Sequence, residues 1–253
     1  MIETFLSRAL LAGIRIGGLM TFAPFFGNAA LPARVKAGLA AALTVLLLPV
    51  YASGAARPES IGGWVAMALG EAALGMMAGF ATQFVFEGMQ LAGEVVGFQF
   101  GFSLVNIIDP NSQVEVTVLS SFHNFVALLI FMELGVQRWL LRAVAASFRM
   151  IPAGSLAAAR LPAAELLRMA ESMWLVGAEI AFPVLFATML SDLAVGFISK
   201  ASPQFPAMLF GMSLKVLLGI AVLYGAVAFW PGLLERYFLH ALTNLERLLA
   251  FAH

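Results

Sequence analysis

The stretch AMLFGMSLKVLLGIAVLYGAVAFW, residues 207–230, decides the fold class of this 253-residue chain. Its single charge is Lys215, and it is longer than the about 20 apolar residues that a helix needs to cross a bilayer. The other long apolar runs cover residues 5–26, 37–51, 61–86, 118–136 and 174–199. The pattern predicts an all-α, multi-helix membrane protein with about six long hydrophobic helices.

The composition supports the same class of protein. Hydrophobic residues make up 62% of the chain and charged residues 11%, whereas soluble domains carry about 25% charged residues. This argues against a soluble globular enzyme and against a disordered chain. Lys and Arg together number 14, as do Asp and Glu, so no basic excess indicates nucleic-acid binding. Because cysteine is absent, disulfides, thiolate chemistry and cysteine metal sites are excluded.

Three further segments complete the helix prediction. Residues 88–105 are rich in glycine and interrupted by Glu94, so we do not count them as a spanning run. Residues 138–173 hold five arginines and two prolines, which predicts a loop followed by a short amphipathic helix. Residues 232–253 place leucine or phenylalanine every three or four positions opposite polar residues. They are predicted to form an amphipathic C-terminal helix that lies on a membrane or on a partner.

The arginines suggest an orientation for such a protein. If all six runs cross, the loops after the second and fourth runs share one side of the membrane with both termini. That side carries most of the arginines, including the five at residues 138–173. The positive-inside rule then places both termini in the cytoplasm.

Several charges lie inside or beside the apolar runs. Besides Arg8 and Arg15, the predicted buried charged residues are Glu71, Glu94, Glu179, Asp192 and Lys215. Since a charge at the bilayer centre costs about 2.5–3.5 kcal/mol, these groups must pair, line water or lie outside the membrane. They indicate either an ion or proton path or a set of salt bridges between subunits. We favour the salt bridges, because we find no internal repeat of the kind that builds transporters.

Glycines recur four residues apart in these helices. The series are Gly13 and Gly17, Gly75 and Gly79, and Gly93, Gly97 and Gly101, while Gly211 and Gly219 lie on either side of Lys215. A smooth glycine face lets another backbone approach closely, so the spacing predicts tight helix packing.

No catalytic motif is present. The three histidines have no zinc-helix spacing, and there is no P-loop, dinucleotide fingerprint or nucleophile elbow. We therefore predict no catalytic, cofactor-binding or metal-binding residues, no cofactor and no enzymatic activity.

The segment GFQFGFSLVNIIDPNS, residues 97–112, looks most like a working part. Pro110 disfavours helix at Asp109, so the chain should leave its helix in this segment. Irregular backbone at membrane depth must be buried in protein or line a cavity. An apolar loop in a cavity is suited to closing a pore. By composition alone, an ordinary loop between helices fits equally well.

Three groups of residues resemble the FliR family of flagellar biosynthetic proteins. The first runs from Gly101-Phe102-Ser103 to Asp109-Pro110. The second is FISKASPQ at residues 197–204, followed by Gly211, Leu214-Lys215 and Gly219. The third is Ala23-Pro24 with Gly27 and LPARVKAGL at residues 31–39. The matches span most of the chain in the family's order, although this chain has Met212-Ser213 where the family usually has Phe-Pro.

The resemblance implies a single export-gate domain over residues 1–253. Such proteins assemble with FliP-like and FliQ-like subunits in the bacterial inner membrane, at the flagellar basal body. Their type III export gate conducts unfolded flagellar proteins. The family's helices are steeply tilted and lie largely above the membrane plane, so buried partners replace lipid around charges.

The resemblance also implies that residues 97–117 hold the loop that plugs the closed pore. The plug residues carried over by the motif are Gly101, Phe102, Ser103, Ile107, Ile108, Asp109, Pro110 and Asn111. The alternatives are the homologous subunit of a virulence-type secretion system, an ion-coupled secondary transporter and a purely structural membrane scaffold.

Overall fold

A computed structural model describes residues 2–24, 26–27, 32–47, 60–102, 117–155, 163–202, 204 and 206–251. Every regular element in these residues is an α-helix. The helices are α1 Ile2–Phe22, α2 Ala33–Leu46, α3 Ile61–Gln99, α4 Val118–Leu134, α5 Val136–Met150, α6 Ala163–Ala201, α7 Ala207–Val227 and α8 Trp230–Phe251. The all-α prediction is confirmed.

In the part of the chain that the structure describes, fewer helices have membrane-spanning character than the six predicted runs. Among the described residues, α3, residues 166–201 of α6 and residues 210–227 of α7 are long and apolar enough to cross a bilayer. The pair α4 and α5 adds a fourth span only if it is one broken span, bent by 65°. Helix α2, with 14 residues, is only about 21 Å long, less than the roughly 30 Å of a hydrocarbon core.

Helix α3 extends beyond its predicted apolar run. The sequence-based prediction stopped the apolar run at residue 86, but the helix continues through the glycine-rich segment to Gln99. The glycines there are packing positions: a Cβ at Gly88 would lie 2.7 Å from the carbonyl oxygen of Met173, and one at Gly93 would lie 2.5 Å from Cα of Ser120. Close packing thus offsets the about 1 kcal/mol by which glycine disfavours a helix.

The order predicted for residues 138–173 is wrong. The amphipathic helix comes first, as α5, and a turn at residues 151–155 follows it. Helix α5 forms because Val136, Leu140, Val144 and Phe148 recur at helical spacing, and all four are buried. Helix α6 then begins at Ala163, well before the start of the predicted run at residue 174.

The chain divides into two compact units. The first contains Met1–Phe84, Phe131–Glu171 and Phe238–His253. In it, a Cβ at Gly18 of α1 would lie 2.8 Å from the carbonyl oxygen of Ala72 in α3. The predicted position Gly17 instead has open space around it. The glycine spacing therefore predicted close helix packing correctly, but on α1 the contact is made by Gly18 and not by Gly17.

The second unit contains Val85–Ile130 and Ser172–Tyr237. Its helices α6 and α7 expose many large apolar side chains, among them Phe182, Phe186, Leu193, Phe197 and Leu217. Apolar surface of this extent is typical of a helix face that meets lipid or another subunit. The single-domain organisation over residues 1–253 stays a prediction.

Helix α8 covers the segment predicted as the amphipathic C-terminal helix. Leu234, Phe238, Leu245 and Leu249 are buried, whereas Arg236 and Arg247 are exposed. Within the first unit, the ring of Phe238 packs edge-on against Phe131 of α4, with centroids 5.6 Å apart. This face of α8 is thus partly covered by the chain itself.

Candidate functional site

The candidate plug loop begins at a well-formed helix end. Gly101 has φ 82°, a conformation in which glycine carries no steric penalty. The N–H of Gly101 donates to the carbonyl of Phe98, and the N–H of Phe102 donates to the carbonyl of Gly97, both at 3.0 Å. This is the hydrogen-bond pattern of a Schellman motif, in which a left-handed glycine ends the helix. The chain therefore leaves α3 at Gly101, inside the predicted segment.

The residue before this glycine anchors the end of α3. Phe100 is buried, and its ring lies over Gly219 of α7, where a Cβ would collide with it. Beside it, Gln99 donates a hydrogen bond of 3.1 Å from Nε2 to Oγ1 of the buried Thr188 in α6. These contacts all lie within the second unit. They hold the start of the loop against α6 and α7.

The far end of the loop lies beside its start. Thr117 accepts a hydrogen bond of 3.2 Å at Oγ1 from the backbone N–H of Ser120 and so caps α4. A Cβ placed on Gly97 would lie 3.0 Å from this same hydroxyl oxygen. Thr117, just before α4, therefore lies against the last turn of α3.

Only the first two of the predicted plug residues fall within the described part of the chain. Gly101 forms the helix end, and Phe102 is exposed, with its ring 6.0 Å from that of Phe100. Ser103, Ile107, Ile108, Asp109, Pro110 and Asn111 lie outside the described residues. Their role as a plug stays a prediction.

The second feature is a buried ion pair in the first unit. Arg15 of α1 and Glu71 of α3 are both fully enclosed, with side-chain exposures of 1% and 0%. The guanidinium binds the carboxylate through Nε to Oε2 at 2.6 Å and Nη2 to Oε1 at 3.0 Å. A two-pronged geometry of this kind is the strongest form of an arginine–carboxylate contact.

The remaining polar atoms of this pair also have partners. Arg15 donates to Oγ of Ser147 at 3.0 Å and to the carbonyl of Ile151 at 3.1 Å. The backbone N–H of Gly154 donates to Glu71 at 2.7 Å. The guanidinium also lies 4.2 Å from the ring centroid of Phe148. The pair therefore ties α1 and α3 to α5 and the turn that follows it, within one chain.

The other predicted buried charges are less enclosed. Lys215 of α7 binds Asp192 of α6 at 2.6 Å, with side-chain exposures of 17% and 52%. Glu179 is also exposed and lies 3.9 Å from Arg236. Glu94 is partly buried and accepts a hydrogen bond of 3.2 Å from Gln90. Of the five residues, only Glu71 is fully buried by the chain alone.

Tyr237 of α8 lies beside the exposed ion pair of Glu179 and Arg236. Burial, the hydrogen bond to Glu179 and that carboxylate's charge raise the pKa of Tyr237 to about 12. The phenol therefore stays neutral across the physiological range. It helps to fix the start of α8 beside α6 within the second unit.

Sequence reasoning found the charged members of these sites but missed their partners. Ser147, Ile151 and Gly154 carry no motif, and neither do Thr188 and Gln99. One weak signal was available: Gly154 follows Pro152 closely, and its φ of 83° is the left-handed turn that glycine favours. Among the described residues, no group of His, Asp and Glu could hold a metal ion.

These features define an all-α protein with membrane-length apolar helices, a packed helix end at Gly101 and a buried ion pair. The chain belongs to the family of bacterial export proteins, family 1, whose model matches residues 6–241. That family is a component of protein export rather than a known class of enzyme.

Characterised relatives cover nearly the whole chain. The flagellar biosynthetic protein FliR of Escherichia coli K12 is 27% identical over 238 residues, which cover 94% of this chain and 89% of that protein. The protein of the same name in Bacillus subtilis 168 is 25% identical over 95% of this chain and 94% of its own length. That of Aquifex aeolicus VF5 is 25% identical, with coverages of 87% and 85%. The resemblance to the FliR family is confirmed.

Proposed function

We propose that this chain is a subunit of the flagellar type III protein export gate. It forms part of the pore that conducts unfolded flagellar proteins across the bacterial inner membrane at the basal body. The family match and the flagellar names of its relatives support this function, and they do not favour an ion-coupled transporter.

The loop at residues 101–111 plugs the closed pore in this proposal. The observation that carries it is the anchoring of the loop's base. The start of the loop is fixed by the Schellman motif and by the packing of Phe100 on Gly219, and both ends lie side by side at Gly97 and Thr117. A loop on such a base can occupy or leave a channel while the helices that carry it stay in place.

The gate is completed by FliP-like and FliQ-like membrane subunits. The exposed apolar faces of α6 and α7 and the incompletely buried Asp192 and Lys215 fit helices that gain neighbours in an assembly. Expression of the chain with its neighbouring membrane-protein genes, followed by mass spectrometry of the purified particle, tests these partners. A stable single chain without such proteins would contradict the assembly and would direct attention to transport through Asp192.

The plug itself is tested by replacing residues 103–116 with a shorter glycine–serine linker. Because the two ends of the loop are adjacent, the linker can join them without moving α3 or α4. We expect the assembled complex to become permeable to ions, measured as conductance in planar bilayers. A matched replacement of residues 53–58, which lie between α2 and α3, should leave conductance at the wild-type level. An assembled linker variant with unchanged conductance would refute the plug.

A further inference from the structure

Helix α5 carries a strongly basic face. Its sequence, VQRWLLRAVAASFRM, contains three arginines and no acidic residue. At 3.6 residues per turn, Arg138, Arg142 and Arg149 fall within an arc of about 40° around the helix axis. All three are exposed, whereas the opposite face of the helix is buried. The arginines thus form one outward stripe, which we call the arginine stripe.

The stripe forms no ion pair within the part of the chain that the structure describes. None of its three arginines forms an ion pair with another residue in the described part of the chain. Glu133 is the nearest acidic residue in sequence, but it precedes the bend at Gly135. Glu246 of α8 shares a cleft with Arg142, but the two do not form an ion pair. Three arginines on one face that are engaged by no ion pair among the described residues indicate an anionic partner.

The position of α5 indicates which anion this is. The helix follows the apolar α4 after the 65° bend at Gly135, so it turns away from the direction of that apolar helix. Trp139, half-buried, lies beside the stripe. An amphipathic helix with tryptophan and arginine at the end of an apolar helix has the composition of a segment that lies at a membrane surface.

A cleft next to the stripe adds an apolar surface. It has a volume of about 420 Å³, lies between α5 and α8 in the first unit, and is lined by Trp139, Arg142, Leu239, Leu242 and Glu246 among others. The carboxylate of Glu246 would repel a phosphate placed inside the cleft. A lipid therefore fits best with its headgroup along the outward arginines and its acyl chain against the tryptophan and the leucines.

We propose that the arginine stripe of α5 binds anionic phospholipid headgroups of the membrane in which the protein lies. The lipid class is recognised by its negative phosphate and by the absence of a compensating positive group, as in phosphatidylglycerol. This interaction requires only that the chain lies in a membrane and does not depend on the plug.

Native mass spectrometry of the full chain, purified in detergent with its co-expressed partner subunits, tests the proposal. We expect more phosphatidylglycerol than phosphatidylcholine to remain bound to the wild-type protein. The variant R138Q/R142Q/R149Q should lose this preference, since each basic residue near an anionic surface contributes on the order of fivefold. The variant R138K/R142K/R149K should keep it. The matched control R34Q/R236Q/R247Q, which removes three exposed arginines elsewhere, should also keep it.

Four results would overturn the proposal. The first is equal retention of the two lipids by the wild-type protein. The second is undiminished phosphatidylglycerol on the glutamine variant. The third is displacement of the lipid by millimolar inorganic phosphate, which would indicate a simple anion site. The fourth is loss of the partner subunits from the glutamine variant with phosphatidylglycerol retained, which would indicate that the stripe is a protein interface.

Discussion

Arg15 and Glu71 form a two-pronged ion pair with no access to solvent, although 56 positions separate them in the chain. Each side-chain nitrogen of Arg15 and each carboxylate oxygen of Glu71 has a hydrogen-bond partner. One of these partners is the backbone N–H of Gly154. Charges in this environment are tolerated because protein groups replace water. This ion pair explains why apolar helices tolerate two charged residues whose burial in lipid would be costly.

The first prediction concerns the loss of one member of this pair. Glu71→Ala leaves the guanidinium of Arg15 buried and unpaired, which should lower the free energy of unfolding by about 3–5 kcal/mol. Thermal unfolding of the detergent-solubilised protein measures this change. The double variant R15M/E71M, which removes both charges, should be clearly more stable than Glu71→Ala. Equal stability of the two variants would mean that the pair is not the source of the loss.

The second prediction concerns Gly219, under the ring of Phe100. Gly219→Ala places a methyl group where the ring now lies, so it should displace the end of α3 and lower stability by about 1–3 kcal/mol. Gly225→Ala is the matched control on the same helix, because its Cβ would meet open space. Adding Phe100→Leu to the Gly219→Ala variant should recover part of the loss, as measured by thermal unfolding. If the two glycine variants unfold alike, the packing of Phe100 on Gly219 is not significant.

The third prediction concerns the helix end at the base of the candidate plug. Gly101→Ala forces an alanine into a left-handed conformation, which costs about 1–2 kcal/mol. Because the strain lies at the loop's base, we expect the chain to be cleaved faster by protease near this point while the rest of the chain stays protected. Gly17→Ala, which has open space around it, serves as the control. Equal cleavage of both variants would show that the turn does not hold the loop.

Local sequence patterns predicted much of the fold for identifiable reasons. The apolar run at residues 207–230 nearly coincides with α7, and the start of the run at residue 61 coincides with the start of α3. Hydrophobic length and helical spacing act within one helix, so they can be read without knowing its neighbours. The ends of helices were predicted less well, because contacts with other helices decide them. Gly88 and Gly93 sit inside α3 for this reason.

The candidate sites, like the helices, could be predicted from the sequence only in part. The sequence singled out Glu71 and Arg15 as costly charges and Gly101 as part of the segment where the chain leaves its helix, because each is unusual in its position. It could not pair Arg15 with Glu71 or place Ser147 and Ile151 around them, since those partners come from distant segments with ordinary composition. It also could not show that Glu179 and Asp192 stay exposed in the single chain.

The sequence by itself determined that this is an all-helical membrane protein, and its motifs indicated the export family. Apolar content and helical periodicity are properties of residues that are neighbours in the sequence, so they can be recognised without knowledge of the tertiary structure. Only the tertiary structure decided which charge is buried, where α3 ends and which residues fix the base of the loop. Those outcomes depend on which groups approach across the fold, where a single Cβ or a missing hydrogen-bond partner changes the free energy by several kcal/mol.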